Sequence, residues 1–256
     1  MTFTRRASEI AIGILPIALV IALWHAIAAS GIAPAVLLPP PGAVFARLIE
    51  QAGSRQFLDN AAVTLYRLFA GFSIAVVVGV TLGVAATGSK AVEGIVKPLV
   101  RVLAPLPKVA LYPAMILMLG FDDASKIALV VADAVFPILL ATYQGTSAVD
   151  NKLVWSARAA GCTPRRALFT VVLMAALPSV LTGCRIGLII SCIVVFLAEM
   201  ITSTDGLGYL LVRAGRNFET VDMFVPLISI SILGLTLNAA FNALRKWLLR
   251  GFAEES

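Results

Sequence analysis

The sequence predicts an all-α integral membrane protein of about six transmembrane helices. Three observations predict it. First, 60% of the 256 residues are hydrophobic and only 13% are charged, with mean hydropathy +0.97, whereas a soluble domain is about half apolar and about a quarter charged. Second, apolar stretches recur at about the 20 residues that a helix rising about 1.5 Å per residue needs to cross a core of about 30 Å. Third, the basic residues collect in alternate connecting segments. No block remains for a large soluble domain, so residues 1–256 read as one membrane domain.

The elements follow in order. Span one covers about Glu9–Ala29, with Pro16 as a tolerated kink. It sits behind Arg5 and Arg6 like a signal peptide. It is too long for one, though, and lacks a small-x-small cleavage site, so a retained span is expected. The prolines of LLPPPG (Leu37 to Gly42) forbid a continuous helix. A short amphipathic helix at the outer interface is expected after them. Span two covers about Ala61–Thr87. Its Gly71, Gly79 and Gly83 share one face, as small residues do where membrane helices approach closely. Residues 91–104 carry Lys97 and Arg101 four apart and read as a helix on the inner surface. After the Pro105-Leu106-Pro107 break, span three runs to about Leu119. Its Tyr112, Met115 and Met118 read as packing residues rather than a solute cage. Asp122 or Asp123 can cap span four, about Ser125–Tyr143. Span five covers about Leu168–Met200 and span six about Met223–Leu244. Between them, residues 201–222 form an outer loop in which Gly206-Leu207-Gly208-Tyr209 turns into a re-entrant or interfacial helix.

Charge sets the orientation. With the N-terminus inside, the inner segments hold Arg5, Arg6, Lys90, Lys97, Arg101, Lys152, Arg158, Arg165, Arg166, Arg245, Lys246 and Arg250. The outer ones hold Arg47, Arg55, Lys126, Arg213 and Arg216. That excess predicts cytoplasmic N- and C-termini. It also explains the net charge of +6 without nucleic acid. The three cysteines and the single histidine, His25, form no metal-ligand or disulfide pattern, and no cofactor motif is present. No internal repeat marks an inverted-repeat carrier.

One polar island interrupts this chain. Residues 147–168, SAVDNKLVWSARAAGCTPRRAL, are basic and alanine-rich, and apolar stretches flank them. The small side chains of Ser156, Ala157, Ala159 and Ala160 let a helix backbone seat deeply in a partner's groove. Gly161 and Pro164 then turn the chain toward span five. The island is expected to be a cytoplasmic docking helix, from about Leu153 to Ala160, that passes a push into the membrane as a rigid lever.

These residues resemble the EAA loop of ABC-importer permeases, which runs Glu-Ala-Ala, three residues, Gly, nine residues, Ile, one residue, Leu-Pro. Gly161 matches its glycine, Ala157 its second alanine, Val171 its isoleucine and Leu173 its leucine. Trp155 stands in place of the glutamate, Ser156 in place of the first alanine and Met174 in place of the proline. Beyond the loop, LPPPGAVFARL, PLPKVALYPAMILMLGFDDASKIALVV, ALPSVLTGCRIGL, VVFLAEM and DGLGYLLVRAGRNFET resemble the nitrate/sulfonate/taurine/bicarbonate branch of these permeases. The resemblance implies a type I importer-like permease, homodimeric, in the inner membrane of a bacterium. Two cytoplasmic ABC ATPase subunits would grip Trp155, Ser156, Ala157, Arg158, Ala159, Ala160 and Gly161. A periplasmic or lipid-anchored binding protein would deliver a small solute such as a sulfonate, nitrate or taurine. The permease would hydrolyse nothing. With no proline at Met174, span five is expected to start straighter, with Pro178 still supplying a kink.

Asp133, Arg185 and Glu199 are the ionisable residues singled out within the spans. A charge at mid-membrane costs about 2.5–3.5 kcal/mol, so such groups face the bundle interior or a water path. Asp133 is expected to pair with Arg185, and all three are candidates for the solute pathway or gate. Arg185 can also snorkel to headgroups, and Glu199, near an outer end, can be solvated or cap the loop. Three other classes compete with the importer. An ion-coupled secondary carrier would use Asp133 and Glu199. A non-transporting scaffold would use the polar loop for recruitment. A membrane enzyme finds no nucleophile–base pair or phosphate loop to support it.

Overall fold

The computed structural model describes the backbone of residues 2–32, 34 and 36–252, and side chains from residue 15 onward within them. It is helical throughout, and no strand occurs among the described residues. The helices are α1 (Thr2–Ala29), α2 (Pro41–Ala52), α3 (Arg55–Gly88), α4 (Lys90–Leu103), α5 (Tyr112–Leu119), α6 (Asp123–Ser147), α7 (Asn151–Ala159), α8 (Pro164–Ala167), α9 (Leu173–Ala175), α10 (Leu177–Thr202), α11 (Leu207–Arg216) and α12 (Thr220–Leu248). A 3₁₀ turn (Lys108–Leu111) leads into α5, and a π turn (Leu168–Val172) joins α8 to α9.

Among the described residues, four helices are long and apolar enough to cross a membrane, namely α3, α6, α10 and α12. The expected third span departs from a straight crossing. At eight residues, α5 reaches about 12 Å, too little for a core of about 30 Å. The other limb is α4, and the two meet at 90°. The bend follows from Pro105 and Pro107, which cannot continue a helix. The first span appears as α1, which carries the apolar stretch Leu15–Ala29 among the residues whose side chains are described.

The core is α6 held between α3 and α10. Lipid is as apolar as a leucine side chain, so close packing rather than exclusion from water holds such helices together. The glycine face of α3 provides that closeness. A Cβ at Gly71 would lie 2.6 Å from Val130 Cγ1, one at Gly79 2.9 Å from Ile138 Cγ2, and one at Gly83 2.7 Å from Thr142 Cβ. On the other side of α6, a Cβ at Gly187 of α10 would lie 2.8 Å from Ile138 Cδ1. Tyr112 and Ile116 of α5 close this core with Leu68, Leu129 and Val195, while Met118 points outward. Tyr112 therefore packs as expected.

A clasp fastens the proline segment to the start of α12. Trp24 donates its indole N–H to the Pro39 carbonyl at 3.0 Å and stacks on Phe224 at 5.4 Å. Arg47 and Gln51 of α2 both reach Asp222, at 2.6 and 2.7 Å. The Thr220 hydroxyl donates to the Val36 carbonyl.

Candidate functional site

One end of the bundle, outer in the orientation that the charges predict and called so below, is built around Arg67, a side chain not among the candidates named from the sequence. It sits on α3 with its side chain 3% exposed. Its Nε donates to Asp123 at 2.6 Å and its Nη1 to Glu199 at 3.0 Å. Nη1 also donates to Ser203 and to the Asp205 carbonyl, and Nη2 donates to the Asp205 carboxylate. One guanidinium thus ties α3 to the start of α6, the end of α10 and the loop ahead of α11. Five donors in a fixed fork suit arginine to this role.

Glu199 is not solvated. It is 1% exposed and acts as an N-terminal cap supplied from another helix. The first amides of a helix lack intrahelical acceptors, and three at the start of α11 find partners on other helices. Gly206 N–H donates to Asn60 Oδ1 at 2.7 Å, Leu207 N–H to Thr64 Oγ1 at 2.9 Å, and Gly208 N–H to Glu199 Oε2 at 3.0 Å. A carboxylate is the favoured group at that positive helix end. The Gly-Leu-Gly sequence follows from this seating. Gly206 takes φ +97°, and its Cβ would fall 2.3 Å from Glu199 Cδ; a Cβ at Gly208 would fall 2.4 Å from the Phe196 carbonyl. Burial alone would raise the Asp205 carboxyl. The bond and charge of Arg67, with Ser203 donating, instead hold it below the ordinary carboxylate range.

The expected pairing of Asp133 with Arg185 is overturned. Lys108, in the bend between α4 and α5, places Nζ 3.3 Å from Asp133 Oδ1, 4.6 Å from the Phe136 ring centre and 2.8 Å from the Ala104 carbonyl. The bend, at the break expected from Pro105-Leu106-Pro107, carries this lysine inward. Arg185 donates instead to Asn238 of α12 at 2.8 Å. Asp133, Arg185 and Glu199 are therefore held by three separate sets of partners. Capping of α6 differs too. Asp122 holds the cap position but makes no side-chain cap bond, and Asp123 is spent on Arg67.

The inner end is organised differently. α7 has no buried residue. Asp150 caps it by accepting from Lys152 N–H at 2.9 Å. It ends after Ala159, where Cys162 N–H returns to the Ala157 carbonyl and Gly161 N–H to that of Arg158. This double closure needs a left-handed residue, and Gly161 supplies it at φ +87°. Trp155 is 65% and Leu153 50% exposed; Ser156, Arg158, Ala159, Ala160 and Gly161 are exposed and Ala157 half-exposed. A gap of ≈ 220 Å³, bordered by Thr87, Thr146, Asn151, Val154 and Leu168, lies behind the helix.

The path from α7 into the membrane is jointed. Thr163 caps α8 at Arg166 N–H. The π turn and α9 follow, and Ala176 breaks the helix before Pro178 opens α10. The straighter start expected from Met174, and the single rigid lever, are both corrected by this. A π turn widens the backbone ring without proline, and Pro178 cannot donate into the turn before it.

Comparison with known proteins agrees with this architecture. Residues 75–254 match the family described as binding-protein-dependent transport system inner membrane component. The chain is 31% identical over 238 residues to the putative aliphatic sulfonates transport permease protein SsuC of Bacillus subtilis (strain 168), covering 93% of this chain and 86% of that protein. It is 29% identical over 245 residues to the taurine transport system permease protein TauC of Escherichia coli (strain K12), covering 94% and 89%. Among solved structures it resembles a chain of the inward-facing MetNI methionine ABC transporter, with TM-score 0.67 and 19% identity over 75% of this chain and 96% of that one. This last likeness is one of fold. With helices that can cross a membrane and these relatives, the chain belongs to the binding-protein-dependent transport system inner membrane components and is a permease subunit of an ABC importer.

Proposed function

We propose that this permease carries a small sulfonate-type solute inward, with ATP hydrolysed on a separate cytoplasmic subunit that grips α7. The observation that carries the coupling half is the exposure of α7. An indole ring and a leucine stand outward from a helix that also carries the small residues Ser156, Ala157 and Ala159, and a buried aromatic anchor is a common way to hold a partner. Trp155 would then take over the contact that the family's glutamate makes. The relatives' printed substrates, aliphatic sulfonates and taurine, support the solute class. We place both termini and α7 on the cytoplasmic side, because the basic residues gather there.

A second copy of the chain would complete the pathway. Ile186, Ile189, Ile193, Leu197 and Ile201 recur three or four apart and stand exposed on α10, otherwise the most enclosed long helix. A binding protein would meet the outer face near Arg213 and Arg216, both exposed on α11. Glu199 would close the outer end by seating α11 rather than by touching solute. Asp133 and Arg185 are better read as structural charges than as a pathway, since each already has a partner. The ion-coupled alternative loses both of its carboxylates for the same reason.

The test is reconstitution of the permease with its ATPase and binding protein in vesicles. Uptake is expected to need ATP hydrolysis and to vanish with an ATPase-dead partner. Uptake by the permease alone on a proton or sodium gradient would sink the proposal. For the coupling half, Ala157→Asp is expected to abolish capture of the ATPase while leaving the permease folded.

A further inference from the structure

We propose that the groove between the end of α12 and the base of α7 binds the phosphate headgroup of an anionic phospholipid. It encloses ≈ 1180 Å³ and is bordered by the ends of α6 and α9, the start of α10 and the last turns of α12. That is far more than an ion or a few waters fill, and enough for a headgroup with the first carbons of its chains.

The chemistry of its walls is amphipathic. Asn242, Arg245 and Lys246 share one side of α12, and Leu249 and Arg250 follow in the turn after it. Leu153, Leu249 and Phe252 offer apolar surface beside those three cations. The one carboxylate in the lining, Asp150, is already engaged as the cap of α7. Among the described residues, none of the three cations is in an ion pair. Arg245 Nε is sealed from solvent and has no hydrogen-bond partner among the described residues. Sealed donors are normally satisfied, so this one lacks an acceptor that a phosphate oxygen would supply. Trp247, 60% exposed on the same turn, is the residue type found at headgroup depth.

A lipid is favoured over a soluble anion because cations and apolar surface share one opening at the end of a crossing helix. The cytoplasmic leaflet carries the anionic lipids, and each Lys or Arg near it contributes about 1 kcal/mol. That placement rests on the orientation proposed above. A lipid seated here would brace Asp150 and Leu153, the base of the docking helix, against α12, so the anionic lipid content would tune how firmly α7 is held.

The experiment is native mass spectrometry of the full-length permease, loaded in turn with phosphatidylglycerol, phosphatidylcholine and inorganic phosphate. The wild type is expected to retain phosphatidylglycerol in preference to phosphatidylcholine and to ignore inorganic phosphate. The exposed Arg250→Gln is expected to weaken retention about fivefold, and Arg245→Gln/Arg250→Gln further, at about the same factor per cation, while the outer Arg216→Gln changes nothing. Equal retention of the two lipids would overturn the proposal, as would displacement of the lipid by inorganic phosphate. A wild type that binds no lipid until Glu254→Gln/Glu255→Gln is introduced would overturn it in favour of the chain's own acidic tail. If the double variant fails to fold, by its melting in detergent, Arg250→Gln alone decides. The readout needs neither solute nor ATPase, so its failure leaves the importer reading standing.

Discussion

The two ends of this bundle treat charge in opposite ways. At the outer end Arg67 meets Asp123, Glu199 and Asp205, and Lys126, 1% exposed, donates to the Phe121 and Asp122 carbonyls. The Arg67 bonds join α3 to α6, to α10 and to the loop before α11. At the inner end Lys152, Arg158, Arg165 and Arg166 stand exposed, and α7 rests mainly on the π turn and α8. The difference separates two physical tasks. A buried, fully satisfied network fixes relative positions of helices, whereas unsatisfied groups on an exposed helix leave binding energy for another molecule. The outer end is built to hold its own shape and the inner end to be held.

The largest effect is expected from breaking the outer network at its centre. Arg67→Met leaves Glu199 buried without a counter-charge, and breaking such a pair costs about 3–5 kcal/mol. The measurement is the unfolding midpoint of the purified permease in detergent. Arg67→Met/Glu199→Gln is expected to recover part of the loss, because the stranded charge goes with its partner. Equal losses for single and double variants would show that the arginine acts through packing instead.

Next is Gly208→Ala. The added methyl meets the Phe196 carbonyl, which is backbone and cannot swing aside. Overpacking of this kind costs about 1–3 kcal/mol. Because the collision lifts α11 off Glu199, the loss is expected to come with faster labelling of a cysteine placed at Leu207, which is 2% exposed in the intact protein. Loss of stability with no change in labelling would mean that α11 stays seated and the strain is taken up elsewhere.

How much of this the sequence made legible depends on distance along the chain. The glycine face of α3 and the Gly161 turn were readable because helical spacing and backbone freedom are local properties. The docking helix was readable from its composition. Arg67 was readable in principle, being the one charge in the apolar run 61–87, and the rule that a charge in a span needs a partner applies to it directly. Its partners were not, since they lie 56 to 138 positions away. The break at Pro105-Leu106-Pro107 was readable, but the Asp133–Lys108 pair was not, because a break does not say toward which helix the residue after it will point. The cap of α11 was hidden for the same reason as Arg67. A helix start with no capping residue of its own points to a cap from elsewhere without saying which residue provides it.

A gentler test sharpens the contrast within the outer end itself. Asp123 and Asp205 hold the same guanidinium and are similarly exposed, at 45% and 47% of the side chain. Asp205 ties down the loop before α11, and Asp123 only the start of α6. Both Asp123→Asn and Asp205→Asn are expected to cost about 1 kcal/mol or less, as half-exposed pairs do. Only Asp205→Asn is expected to speed labelling at Leu207. The Asp205 carboxyl lies below its unfolded value of about 3.9. Its contribution is therefore complete above that value and is lost as pH falls through the lower folded value. The wild type is expected to lose stability between Asp205 and its asparagine variant only on that acid side, so the two melting curves should converge below about pH 4.

The smallest effect on stability is expected where the effect on function is greatest. Trp155 touches no core residue and leaves 65% of its surface exposed, so Trp155→Ala should move the unfolding midpoint by no more than a surface change does, about 0.5 kcal/mol. If α7 is an anchor for the ATPase, the same change removes an aromatic side chain from the centre of that contact, where truncation costs about 2 kcal/mol or more, a loss of roughly thirtyfold in affinity. The pairing of these numbers is the reverse of that expected for Arg67→Met, which should unfold the permease without touching the ATPase face. Trp155→Glu carries the comparison one step further, since it restores the residue found at this position in the EAA pattern. It should bind the ATPase better than Trp155→Ala if the partner keeps the complementary charge. Binding no better than the alanine variant would show that the partner's groove has been reshaped around the indole ring.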